Sequence, residues 1–152
     1  MKIFEIILDQ VSNTALFEMA FERKNAINAV RGKAKPIVDH LIYLLIYKNS
    51  KARNHWKSEL SAFIDSIDYL YLKPSKRKLS GNDYYNLLFE EPLGGDIIQT
   101  EKLINQAIRK EDNPDIKVNP YILKESLEKI IHKLSFDLAN DQYISIDDYE
   151  NF

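Results

Sequence analysis

The residues best suited to chemistry in this chain are His55 and Glu59. Their i, i+4 spacing puts an imidazole and a carboxylate on one face of a helix, as metal ligands or as an oriented acid–base pair. His40 lies on the preceding predicted helix, and Asp65 and Asp68 lie further along. A metal centre needs three or four converging ligands, and the same face carries Lys51, Arg53 and Lys57, so a solvated helix surface is the simpler reading. With only His40, His55 and His132 as histidines, there is no His-Glu-x-x-His motif and no repeated Glu-x-x-His pair, which argues against zincin and di-iron chemistry. His132, beside Ile131, reads as a boundary residue with its ring packed and one nitrogen wet.

Other motifs fail on composition. The absence of cysteine excludes a disulfide framework, a thiol nucleophile and Cys-ligated metal, and points to a reducing, cytoplasmic setting. Gly-x-Ser-x-Gly is missing, and Gly94-Gly95-Asp96 lacks both the Lys and the preceding strand of a phosphate loop, so it reads as a turn between helices. Asp137 to Asp148 places acids at positions one, five and twelve of a calcium loop, but Ala139 and Gln142 stand where a ligand and the turn glycine belong. The expectation is therefore no metal and no cofactor.

Charge offers the better clue. The net charge is −2, so no global field would hold nucleic acid, yet the charge is uneven. Lys51, Arg53, Lys73, Lys76, Arg77 and Lys78, with Lys33, Lys35, Lys48 and Lys57, form a basic stretch in which Tyr43, Tyr47, Tyr69 and Tyr71 offer stacking surface. The chain after Asp137 is acidic and has no base, and it reads as a frayed tail or one that docks on the basic surface.

These residues must be positioned by helices, because four Gly and five Pro leave long stretches uninterrupted. Ile3 to Leu8 is ambiguous between strand and helical turn, and leans helical. One helix is expected after Ser12 or Asn13, through Leu16, Met19, Ala20, Ile27 and Val30, with Phe17 and Phe21 widening its stripe and Gly32 ending it. A second starts with Pro36 in its first turn and runs to Ile46, apolar on nearly every side, as the buried central helix. A third, capped by Ser50, carries Ala52, Trp56, Leu60, Phe63, Ile64, Ile67 and Leu70. Asn82 to Glu90 is a short helix before a Pro92-Leu93-Gly94-Gly95 turn, and Thr100 opens another that Asn113-Pro114 closes. Asn119-Pro120 caps the last, with Leu123, Leu127, Ile130, Ile131, Leu134 and Leu138 on one face.

The stretch from His40 to Leu60, with its His40-Leu41-Ile42 run followed by Arg53 and Trp56, resembles the bacterial helical family called domain of unknown function twenty-nine. The resemblance implies a helical fold and a bacterial or phage source. It implies no activity and brings no catalytic residues.

The fold expected is all-α: one compact bundle of five or six helices over residues 1–138, with an acidic C-terminal tail over 139–152. The N-terminal stretch is too short and charged for a signal, and no apolar run reaches the length of a bilayer span. The function expected is that of a non-catalytic interaction or regulatory protein of an immunity, anti-defence or adaptor kind, which binds a protein partner. Tyr84, Tyr85, Phe89, Tyr143 and Tyr149 are its expected anchors, since sixteen Tyr and Phe exceed what a core of this size must hide. The alternative is nucleic-acid binding by the basic face around residues 33–78, and a homo-oligomer is compatible with either.

Overall fold

The computed structural model describes residues 2–68, 79–110, 116–140 and 144–149, and of 2–15, 18, 19 and 68 the backbone alone. Every regular element among them is helical. In chain order these are α1 (Lys2–Ile46), α2 (Arg53–Asp68), α3 (Gly81–Tyr85), a π-helical turn (Asn86–Glu90), α4 (Glu91–Leu93), α5 (Ile97–Lys110), α6 (Pro120–Ala139) and a 3-10 turn (Ile146–Tyr149). None of the described helices is long and apolar enough to cross a membrane.

The first two expected helices are one. α1 passes through both Gly32 and Pro36, although a Gly and a Pro inside a helix cost about 1 and about 3 kcal/mol. Burial overrides these local penalties, because Ala26, Val30, Ala34, Ile37, Val38, Leu41, Ile42 and Leu44 all lie in the core. Gly32 sits four residues before Pro36, where the proline ring crowds the preceding turn, and it is exposed. α2, the π-helical turn, α5 and α6 pack on this half of α1, which is the central rod expected of the Pro36 segment.

The N-terminal half is different. Leu16, Phe17 and Phe21, expected to join the core stripe, are 62%, 71% and 57% exposed. The first buried side chain described on α1 is Ala26, and Arg23 makes the first described bond to another element, 3.0 Å to Asp83 of α3. The described side chains before that point, Leu16, Phe17, Ala20 and Phe21, are all exposed.

α2 and α6 follow their sequence patterns closely. The Ser50 hydroxyl accepts from Ala52 N–H at 3.1 Å, and Trp56, Leu60, Ile64 and Ile67 are buried, with Ala52 and Phe63 packed beside them. Leu70 lies outside the described residues. The Asn119 side chain accepts from the N–H groups of Tyr121 and Ile122 at 3.0 and 3.3 Å, and all six expected core residues of α6 are buried.

Between them the helix runs further than expected. Ser80 and Asp83 form a reciprocal capping box, and α3, the π-helical turn and α4 continue without a break to Leu93. Pro92 therefore lies inside helix, and the wider π turn suits a proline that has no N–H to give Leu88. Gly94 ends the run. α5 starts at Ile97 after Asp96, whose carboxylate accepts from Ile98 N–H at 3.5 Å. Thr100 is no cap, since it is fully buried and its hydroxyl has no hydrogen-bond partner among the described residues.

Candidate functional site

The His55–Glu59 pair expected from spacing is present and larger than expected. Nε2 of His55 lies 2.8 Å from one Glu59 oxygen, and Nε2 of His40, on α1, lies 2.5 Å from the other. His40 Nδ1 lies 2.7 Å from the carbonyl oxygen of Pro36, which only accepts, so Nδ1 carries a proton and donates. The His40 ring stands edge-on to Tyr43 and Phe63, with centroids 5.7 and 5.2 Å away, and is 12% exposed against 72% for His55. With Nδ1 donating to Pro36, Nε2 donates to the Glu59 carboxylate only in the doubly protonated ring, and this bond holds the Glu59 carboxyl below the usual carboxylate range, with desolvation opposing it and His55 adding to the effect.

This arrangement ties α1 to α2. Both carboxylate oxygens are engaged, and His40 is clamped by rings and by its own helix. No group of three or more His, Asp and Glu among the described residues is placed to hold a metal ion. The cluster acts as a polar latch.

The aromatic anchors are placed otherwise than expected. Tyr84, Phe89 and Tyr149 are buried in the core and offer no surface. Tyr85 is half-buried, stacked on Phe89 at 5.3 Å, and its hydroxyl donates to Glu128 at 3.0 Å. Burial first, then Glu128, push the Tyr85 hydroxyl well above its ordinary range. Tyr149 is raised by burial and by Asp137, to which its hydroxyl donates, and its ring lies under the Lys133 ammonium at 4.2 Å. Tyr143 lies outside the described residues.

The basic set is partly used inside the fold. Arg53 donates to the carbonyls of Leu44 and Tyr47 at 2.7 and 3.1 Å, which satisfies the end of α1. Lys57 pairs with Asp147 at 3.2 Å, so the acidic tail docks here on a base of α2. Lys35 pairs with Asp39, and Lys33 lies over the Phe63 ring. Lys51 is exposed, while Lys73, Lys76, Arg77 and Lys78 lie outside the described residues.

The surface that stands out carries residues that sequence reasoning passed over. Ile98, Tyr121 and Ile122 are 61%, 65% and 63% exposed. The Lys124 ammonium donates to the Gly95 carbonyl at 3.0 Å, which brings the start of α5 to the first turns of α6 and puts the three at one end of the bundle. Ile122 also lines an open groove of about 350 Å³, together with the apolar Leu45, Ile46, Ile116, Val118 and Leu123 and the polar Lys48, Lys117, Asn119 and Ser126. The available signal was that Tyr121 and Ile122 are apolar yet fall off the core stripe of their own helix.

No protein-family model, no curated protein and no solved structure matches the chain. The resemblance of residues 40–60 to domain of unknown function twenty-nine thus rests on those residues alone.

Proposed function

We propose that this chain is a non-catalytic helical interaction protein that takes a protein partner on the end of the bundle formed by the starts of α5 and α6. The observation that carries the reading is that Ile98, Tyr121 and Ile122 are each more than half exposed at the starts of α5 and α6, with Ile122 also lining an open groove of mixed apolar and polar character. Clustered exposed apolar side chains mark interaction surfaces, and tyrosine supplies contact area with a polar tip at low entropic cost. Lys48 and Lys117, which line the groove, favour a partner that presents an apolar side chain beside a carboxylate. An immunity, anti-defence or adaptor role fits a protein that works by covering a surface.

Affinity capture from the native host with the full chain and with a Tyr121→Ala/Ile122→Asp variant tests this. A stoichiometric protein held by the former should be lost by the latter at unchanged thermal stability, since both side chains are exposed. Equal capture by the two proteins, or retention of nucleic acid alone that raised salt releases, would refute it.

A further inference from the structure

Both nitrogens of the His40 ring meet groups that accept hydrogen bonds. Nδ1 lies 2.7 Å from the Pro36 carbonyl oxygen on its own helix, and Nε2 lies 2.5 Å from a Glu59 oxygen on α2. A neutral imidazole has one N–H and one lone pair, so it can satisfy only one of the two. Exchanging tautomers moves the misfit from the carboxylate to the carbonyl without removing it. The ring stands edge-on to Tyr43 and Phe63 and is 12% exposed, which leaves water little access to either nitrogen. The arrangement is complete only when the ring carries both protons, and its positive charge then faces a carboxylate.

From this we propose that the α1–α2 contact contains a proton-gated latch, closed when doubly protonated His40 bridges Pro36 and Glu59 and released when that ring loses a proton. His55 cannot stand in for it. It bonds the other Glu59 oxygen at 2.8 Å, but from four residues away on the same helix and at 72% exposure, so its bond does not cross to α1. A separate polar tie is Arg53, whose bonds to the Leu44 and Tyr47 carbonyls hold the first turn of α2. Release at Glu59 therefore loosens the later turns of α2, which carry Leu60, Ile64 and Ile67, while the first turn stays tied.

The nearby charges are engaged elsewhere. On α1, Lys35 and Asp39 bind each other at 2.7 Å, and Lys33 lies over the Phe63 ring. On α2, Lys57 is taken up by Asp147 of the 3-10 turn. The π-helical turn, α5 and α6 also pack on this half of α1, and among the described residues the charges acting on Glu59 are those of His40 and His55.

The closed latch holds a proton that a free imidazole gives up near neutrality, so acid closes it and base opens it. Protonation of Glu59 ends it from the other side. Closure is therefore favoured between the ordinary ranges of carboxylates and imidazoles, from about pH 5 to about pH 6.5. None of Ile98, Tyr121 and Ile122 takes part, so the latch stands or falls separately from the proposed function.

NMR shifts of the His40 ring nitrogens should report two N–H groups at about pH 6 and one at about pH 9. Amide hydrogen exchange over residues 60–67, corrected for the intrinsic rate, should quicken by about tenfold or more between about pH 6 and about pH 9. His40→Gln, whose side-chain amide donates at either pH, should flatten that dependence, and His55→Ala should keep it. A single neutral tautomer of His40 at about pH 6 overturns the inference. So does protection of residues 60–67 that does not vary with pH, or a pH dependence that survives His40→Gln unchanged.

Discussion

Glu59 is the residue on which the polar link between α1 and α2 turns. Its carboxyl lies below the ordinary range because the His40 bond favours the ionised form, so the folded chain binds fewer protons there than the unfolded chain. That contribution is present above the unfolded pKa and is lost as pH falls through the lower, folded value. Glu59→Gln removes it. The variant should have a lower urea midpoint than the parent near pH 7, and the gap should close as the pH falls toward about 3. The effect is modest, since Glu59 is more than a third exposed and water screens the pair. A gap that widened between about pH 5 and about pH 3 would contradict the assignment. The His55–Glu59 half of this cluster was legible because i, i+4 spacing is local, whereas His40 joins from nineteen residues away and no periodicity reports such a meeting.

At the scale of elements, the two glycines in or next to packed helix make opposite predictions. A Cβ added at Gly32 meets nothing within 4 Å, so Gly32→Ala should stabilise the chain by about 0.5–1 kcal/mol, read as a higher urea midpoint with an unchanged slope. A Cβ at Gly81 would fall 2.6 Å from the Phe136 ring, so Gly81→Ala should destabilise, and Phe136→Ala in the same chain should recover part of the loss. The physics of these helices explains what their sequences disclosed. Asn119-Pro120 and the stripe from Leu123 to Leu138 are local signals that agree with each other, and they placed α6 correctly. Gly32 and Pro36 signal a break of only a few kcal/mol, and the burial of Val30, Ala34, Ile37 and Val38 on either side outweighs it. Residue type alone did not tell whether Tyr84, Phe89 and Tyr149 face the core or water, because an aromatic side chain serves either place.

Across the whole molecule, the C-terminal segment closes the bundle. The 3-10 turn at Ile146–Tyr149 lays Tyr149 against α6 through Asp137 and Lys133 and brings Asp147 to Lys57 of α2. Tyr149→Ala should cost about 3 kcal/mol or more, by analogy with other large buried rings, and should lower the calorimetric midpoint. Lys57→Ala, which removes one exposed-side ion pair, should cost under about 1 kcal/mol. The anchoring ring was thus visible as an aromatic in an acidic stretch, while its destination depended on elements far away in the chain. The α1–α2 contact holds the one tryptophan, Trp56, 6% exposed and stacked on Tyr43 with centroids 5.2 Å apart. A single indole in a dry ring stack gives the chain a built-in fluorescent gauge of that contact alone. Emission should shift to the red when α2 leaves α1, and circular dichroism reads all the helices together. If the two melting curves superimpose, bundle and tail unfold as one cooperative unit, and if they separate, the α1–α2 pair is a unit of its own.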